Sequence, residues 1–178
     1  MAEKGFVLIL DASAFIMGYD PLSVSYPQFS VPSVLNELLP ETTEWLRCSV
    51  AEQSGKLKIQ QPSEKSVEKI KFLSASVGDI RTLSGTDIQI LSLAFELQSE
   101  GKDPVIVSDD YAIQNVAERI GLKYKSLATF GIRYQFDWIL YCPACHRKYP
   151  SGYIGESCGV CGTALKRKPL KKAKIEKT

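Results

Sequence analysis

A chain of 178 residues, 44% hydrophobic and 24% charged, has enough apolar material for one sizeable core and a small module beside it. No apolar stretch approaches the roughly 20 residues needed to span a bilayer, and the start, MAEKGFVLIL, lacks a secretory layout, so a cytosolic protein without membrane partners is expected. Of the 22 basic and 20 acidic groups, seven and one fall in residues 166–178, KRKPLKKAKIEKT, leaving 15 basic and 19 acidic groups in a mildly acidic body.

Residues 5–10 read as a buried strand that stops on Asp11, and DASAFIM begins a short helix. Residues 18–30, with Gly18, Pro21, Pro27 and several serines, read as loop. Apolar residues at 31, 34, 35, 38 and 39 predict a helix with Pro32 in its first turn, and a second helix over about 42–54 stops at Gly55. A short strand is expected at 56–60, a poorly capped helix at 63–77 and a loop at 78–85. SGTDIQILSLAFELQ is apolar almost all round, which marks a central helix. PVIVS (104–108) is another buried strand, DDYAIQNVAERI a helix stopped by Gly121, and LKYKSL (122–127) a last strand. This alternation implies a three-layer α/β/α domain with a central parallel sheet over residues 1–127. Residues 128–140 read as a linker, 141–165 as a cysteine module, and 166–178 as a basic, disordered tail whose charge also suits a polyanion contact.

Two of the strands end on acid, at Asp11 and at Asp109–Asp110. In open parallel sheets ligands bind at the carboxyl ends of strands near a topological switch point, so neighbouring strands would bring these acids together. Each acid also has an ordinary explanation. Asp11 and Asp109 could cap the helices that follow them, and Asp87 in SGTD has capping-box spacing. As a group, packed carboxylates repel and are pushed toward neutrality unless a cation sits between them. A hard divalent ion resolves that repulsion, and it can activate a water and stabilise a phosphoryl transition state. The lone His146 lies among the cysteines, which sets histidine acid–base chemistry aside. Periodicity does not select Glu37, which falls about 120° from the centre of its helix's apolar stripe.

The strings LDASAFI, VPSVLNELL, LSGTDIQILSLA and VIVSDDYAIQNVA, in this order over roughly residues 5–127, resemble the PIN-domain ribonucleases. The resemblance implies four acids holding one or two Mg²⁺ or Mn²⁺ ions for RNA hydrolysis. Carried over motif by motif, these are Asp11, Glu37 and Asp87, with the hydroxyl-x-Asp pattern of Ser108-Asp109-Asp110 selecting Asp110. Asp109 is then a neighbour that assists or caps.

Of five cysteines, Cys48 stands alone in a helical pattern and reads as packing. Cys142, Cys145, Cys158 and Cys161 form C-x2-C, twelve residues, C-x2-C, the spacing of a zinc ribbon with four thiolate ligands. Gly159 and Gly162 suit the tight turns of its second knuckle, and so short a module should fold only with its metal. The zinc could serve only to fasten the C-terminal module, or could also build a surface for RNA.

A PIN-type domain followed by this ribbon and a basic end resembles the Nin-one-binding protein family of archaea, with DDYAIQNVA and YCPACHRKYP the most specific stretches. The resemblance implies an endoribonuclease that makes the final cut at the 3′ end of precursor small-subunit rRNA. The partners would be a pre-40S/30S-like particle and ribosome-assembly proteins. Mg²⁺ or Mn²⁺ would sit on Asp11, Asp87 and Asp110, with Glu37 orienting water or a second ion. RNA would be gripped by Arg147, Lys148, Tyr149, Lys166, Arg167 and Lys168, with Tyr153 and Trp138 also available to stack on unpaired bases. Two rival readings are a toxin-type PIN ribonuclease acting on tRNA, which the ribbon argues against, and a non-catalytic RNA-binding assembly factor.

Overall fold

The computed structural model describes residues 5–77, 83–127, 134–150, 153 and 155–174. Strand β1 (Phe6–Leu10) is the expected apolar run, buried from Val7 onward. Asp11 ends it in extended backbone, and α1 (Ala12–Ile16) follows at once. A 3-10 turn (Pro21–Ser23) leads into β2 (Gln28–Ser30), inside the segment expected as loop. This difference has a physical reason. The buried Gln28 satisfies its own amide, taking the Tyr19 hydroxyl on Oε1 and donating from Nε2 to the Pro21 carbonyl, each at 2.9 Å. A short strand led by a buried polar residue has no period-two signature; parallel pairing of Leu8 with Gln28 and Ile9 with Phe29 makes it one.

Helix α2 (Pro32–Glu37) starts on its proline as predicted but stops short of Leu39. Leu38 is already extended as the chain approaches Pro40, whose ring disfavours helix in the residue before it. The Thr42 hydroxyl caps α3 (Thr43–Gln53), and Gly55 ends that helix's turn at φ +72°. After β3 (Leu57–Ile59) comes α4 (Glu64–Val77), expected to be poorly capped; the Ser63 hydroxyl accepts the Ser66 N–H at 3.4 Å, and a second element reinforces that start. Glu96, on α5 (Gly85–Ser99), accepts the Ser63 N–H at 2.8 Å, the Ser63 hydroxyl at 2.6 Å and the Ser66 hydroxyl at 3.0 Å. Burial would raise the Glu96 carboxyl, and these bonds outweigh it, so its pKa lies below the ordinary glutamate value. Most of the expected loop at 78–85 lies outside the described residues.

The domain closes with β4 (Asp103–Val107), α6 (Tyr111–Ile120), halted by Gly121 at φ +74°, and β5 (Lys123–Lys125). The five strands are parallel in the order β3-β2-β1-β4-β5. Helix α1 packs on α3, and α4 packs on α5 and α6, the two helical layers of the expected sandwich. Helix α5 sends Ile90, Leu91, Leu93 and Leu97 into the core, all fully buried. The chain runs outward from β1 to β3, then crosses back to lay β4 along β1's other side. The switch point therefore lies between β1 and β4. Among the described residues, no helix is long and apolar enough to cross a membrane.

Strands β6 (Tyr134–Tyr141), β7 (Lys148–Tyr149) and β8 (Lys166–Lys174) make a second, antiparallel sheet in the order β7-β6-β8. Residues 134–140, expected within a linker over 128–140, and 166–174, expected within a disordered tail over 166–178, are paired strands, Tyr134 opposite Lys174 and Tyr141 opposite Lys166. The aromatic, β-branched run of β6 favours extended backbone and needs a partner for its amides. A lysine-rich run with a proline hides its strand character in sequence, yet both residue types belong on an edge strand, which is where β8 lies. Residues 128–133 and 175–178 lie outside the described residues.

Candidate functional site

The carboxyl ends of β1 and β4 lie side by side, with Leu10 opposite Val107, so the residues after each strand meet at the switch point. Asp11 is 5% exposed and occupies the N-cap position of α1, but its side chain does not cap that helix. Its Oδ2 instead accepts the Ser13 hydroxyl at 2.7 Å and the Ser108 hydroxyl at 2.8 Å. Each hydroxyl in turn accepts a backbone N–H from the turn after β4, Asp109 on Ser13 at 3.0 Å and Asp110 on Ser108 at 3.1 Å. The buried Gln114 amide holds the Ser108 carbonyl at 2.9 Å. Charge on Asp11 is thus compensated partly by hydroxyl groups, which the sequence alone does not single out; the Asp-x-Ser and Ser-Asp-Asp patterns at two adjacent strand ends are the available signal.

Asp110, not Asp109, caps α6, its Oδ1 accepting the Ala112 N–H at 2.6 Å. Asp109 turns the other way and accepts a hydrogen bond from the Ser126 hydroxyl past β5. Asp87 comes from the first turn of α5, where the expected capping box is present. The Ser84 N–H lies 2.6 Å from Asp87 Oδ2, and the Asp87 N–H lies 3.1 Å from Ser84 Oγ. Capping does not exhaust its role. Burial raises the Asp87 carboxyl, the Ser84 bonds oppose this, and the negative charges of Asp110 and Asp11 push it further up. Two strand ends and one helix start therefore bring Asp11, Asp87 and Asp110 within electrostatic reach of one another. Glu37, the last residue of α2, is exposed as its periodicity implied, on a helix joined to α5 by a 2.9 Å bond between Ser33 and Gln89.

An all-oxygen donor set that includes a carboxyl raised by burial, and further by its acidic neighbours, fits a hard divalent cation. Such ions bind through one or two carboxylates and retain several waters, so tight gathering of the acids is not required. The four cysteines are gathered far more closely. They are the one group of three or more ligating side chains, among the described residues, whose ligand atoms all lie within 4.8 Å of one another. Cys142 and Cys161 sulfurs stand 3.4 Å apart, and those of Cys145 and Cys158 3.5 Å apart. A tetrahedral ion with metal–sulfur bonds of about 2.3 Å needs separations of about 3.8 Å, so this cage accepts one with a small expansion.

The two knuckles repeat one design. His146 and Gly162 each follow the knuckle's first cysteine by four residues, take positive φ (60° and 72°), and donate N–H groups to the Cys142 and Cys158 carbonyls at 2.9 Å. Cys142 and Cys158 donate their own N–H groups to the carbonyls of Arg147 at 2.9 Å and Thr163 at 2.8 Å. Gly162 suits this turn as the residue least strained at positive φ, whereas Gly159 does not adopt positive φ. His146 fills the equivalent turn position and is no ligand in this cage. The Tyr149 hydroxyl accepts the Gly159 N–H at 3.0 Å and lies 2.9 Å from Cys158 Sγ, a bond that draws that thiol's pKa down to about 6. Tyr149, expected to stack on RNA, has its hydroxyl committed to the metal cage. Arg147, Lys148 and Lys166 are exposed around it, and Arg167 and Lys168 continue β8.

Known proteins match the acid-bearing domain, and archaeal relatives match about nine-tenths of the chain. A family profile, the PIN domain of ribonuclease, matches residues 8–97. Endoribonuclease Nob1 of Methanothermobacter thermautotrophicus is 37% identical over 90% of this chain and 91% of its own length. Endoribonuclease Nob1 of Pyrococcus abyssi is 35% identical over 91% of this chain and 93% of its own. The 20S-pre-rRNA D-site endonuclease NOB1 of Saccharomyces cerevisiae is 31% identical over 51% of this chain and 20% of its own. A parallel sheet with acids at its switch point, a four-cysteine cage, and archaeal relatives matched along almost their whole length lead to one assignment: the chain belongs to the Nob1 family of PIN-domain endoribonucleases.

Proposed function

We propose that this endoribonuclease cuts precursor small-subunit rRNA near its 3′ end, in the cytoplasm, on a maturing small ribosomal particle with its assembly proteins. The observation that carries the catalytic half is the meeting of Asp11 and Asp110 at the adjoining ends of β1 and β4, both tied to the Ser108 hydroxyl, with the buried Asp87 close enough for their charges to raise its carboxyl. In this reading Asp11, Asp87 and Asp110 hold Mg²⁺ or Mn²⁺. When bound, the ion supplies activation of water and stabilisation of charge developing on the phosphate. Glu37, exposed and able to reach outward, orients the attacking water or a second ion, and Asp109 supports the turn through Ser126. The substrate is read from the yeast relative, whose name gives it a 20S pre-rRNA substrate. Zinc fills the cysteine cage, since four thiolates select a soft-tolerant tetrahedral ion.

The test is single-turnover cleavage of a precursor rRNA fragment spanning the 3′ end of the mature small-subunit RNA. One cut in Mn²⁺, none in EDTA, and a lower rate on tRNA are expected. Equal cutting of tRNA would favour the toxin-type reading, and no cutting with tight binding the scaffold reading.

In this reading the ribbon and β8 grip the phosphate backbone, as an acidic body requires. Because β8 pairs with β6, truncation would remove a strand along with its charge, and substitution is the cleaner probe. Lys168→Gln, Lys171→Gln and Lys172→Gln together should flatten the slope of log K against log salt by about 2, at roughly 0.7 for each phosphate of single-stranded RNA that is no longer neutralised. An unchanged slope in a filter-binding titration would place these lysines away from the RNA.

A further inference from the structure

We propose that Ser13 is a positioning residue for Asp11: with Ser108 it occupies one carboxylate oxygen, Oδ2, and leaves Oδ1 as the atom offered to the divalent ion. This rests on the reading of Asp11 as a metal ligand.

A serine hydroxyl has one proton to donate. Ser13 Oγ receives the Asp109 N–H at 3.0 Å, which turns its proton toward Asp11 Oδ2 at 2.7 Å. Ser108 Oγ receives the Asp110 N–H at 3.1 Å and points its proton at the same oxygen at 2.8 Å. The contact between the two hydroxyls, 3.4 Å, is the longest of the set because both protons are already committed. Two hydrogen bonds on one oxygen satisfy it. A cation approaching Asp11 then meets Oδ1, as a one-oxygen ligand of the kind a near-octahedral Mg²⁺ or Mn²⁺ accepts with its waters.

The same bonds fix where Asp11 stands relative to Asp110. Ser13 lies in the first turn after β1 and Ser108 at the end of β4, so the clasp ties the β4 turn to the carboxylate of the neighbouring strand. The donor atoms are set before an ion arrives, and little side-chain freedom remains to be lost on binding. Ser108 belongs to the motif that marks Asp110. Ser13 lies two residues after Asp11 in LDASAFI, and its bond to Asp11 is the shortest of the clasp.

The test measures Mn²⁺ binding to the zinc-loaded, RNA-free full chain by calorimetry, with urea unfolding of the same zinc-loaded chain without added Mn²⁺ or Mg²⁺ alongside. Outer hydrogen-bond partners of metal ligands are worth about 10- to 100-fold in affinity, so Ser13→Ala should weaken Mn²⁺ binding by about tenfold or more. Ser13→Thr, which keeps the hydroxyl, should bind Mn²⁺ as the natural chain does. In an Asp11→Asn background Ser13→Ala should have no further effect. If Asp11→Asn abolishes binding while Ser13→Ala leaves it unchanged, or if Ser13→Thr binds as weakly as Ser13→Ala, the positioning role is overturned and the ligand reading stands. If Asp11→Asn itself leaves Mn²⁺ affinity unchanged, the ligand reading falls and takes the positioning role with it.

Discussion

Asp11→Asn is expected to lower Mn²⁺-dependent cleavage by on the order of 10³-fold, the effect of losing several kcal/mol of charge stabilisation in the transition state. The substitution is nearly isosteric. The Asn carbonyl can take the place of Oδ2 and still accept the Ser13 and Ser108 hydroxyls, so the clasp and the fold should persist. Removing this charge also relieves part of the pressure on Asp87, whose carboxyl is raised by burial and further by the charges of Asp110 and Asp11. A carboxyl with a raised folded-state pKa favours the native state least above that pKa, so the gain from Asp11→Asn should be clearest near neutral pH in the zinc-loaded chain without added Mn²⁺ or Mg²⁺. Urea midpoints there should be equal to or above those of the natural chain. RNA affinity should hold, since it is assigned to the ribbon and β8. Near-normal cleavage by Asp11→Asn would refute the mechanism, whereas unfolding of the variant with metal binding intact would return Asp11 to a structural role.

The second large effect concerns the cysteine cage. Cys142→Ser with Cys145→Ser should take zinc from about one ion per chain to none by elemental analysis, because two oxygens cannot replace the thiolates of one knuckle. Structural zinc contributes about 10–16 kcal/mol of apparent binding energy in small modules, more than so few buried residues can replace. The second sheet should therefore melt over residues 134–174, read as loss of amide-exchange protection. The five-stranded sheet, with its own core from Ile9 to Ile113, should keep its protection. Unchanged zinc content would sink the assignment, and loss of protection in β1 and β4 would show the two sheets to be energetically inseparable.

What is legible in the sequence follows from where local and tertiary signals agree. Strands β1 and β4 are apolar runs ended by acids, α5 carries both its capping box and an all-round apolar surface, and the cysteine spacing states its own chemistry. The parallel sheet, the order of the acids and the metal cage can therefore be read directly. β2 cannot, because Gln28 is buried by virtue of bonds to Tyr19 and Pro21 that only the fold supplies. β8 cannot, because strand pairing overrides the solvated character of a lysine run. Asp109 and Asp110 are chemically identical neighbours, and only the backbone turn decides that one caps α6 while the other reaches Ser126. Ser13 is legible only as part of an Asp-x-Ser pattern, and its bond to Asp11 gains its meaning once β4 brings Ser108 alongside.

The position of β1 in the sheet has a consequence for synthesis. Its Leu10 carbonyl meets the Ser30 hydroxyl across 20 residues of chain, but Asp11 meets Ser108 only across 97. A growing chain can thus pair β1 with β2 early, while the opposite edge of β1 stays bare until residues 103–107 have emerged and inserted. That bare edge is an aggregation risk for the unfinished chain. It is also a form of timing. Because Asp110 and the Ser108 hydroxyl arrive only with that strand, an unfinished copy lacks groups that the proposed cutting centre needs, and in that reading the translating ribosome, itself built of RNA, is not exposed to one until the domain is complete.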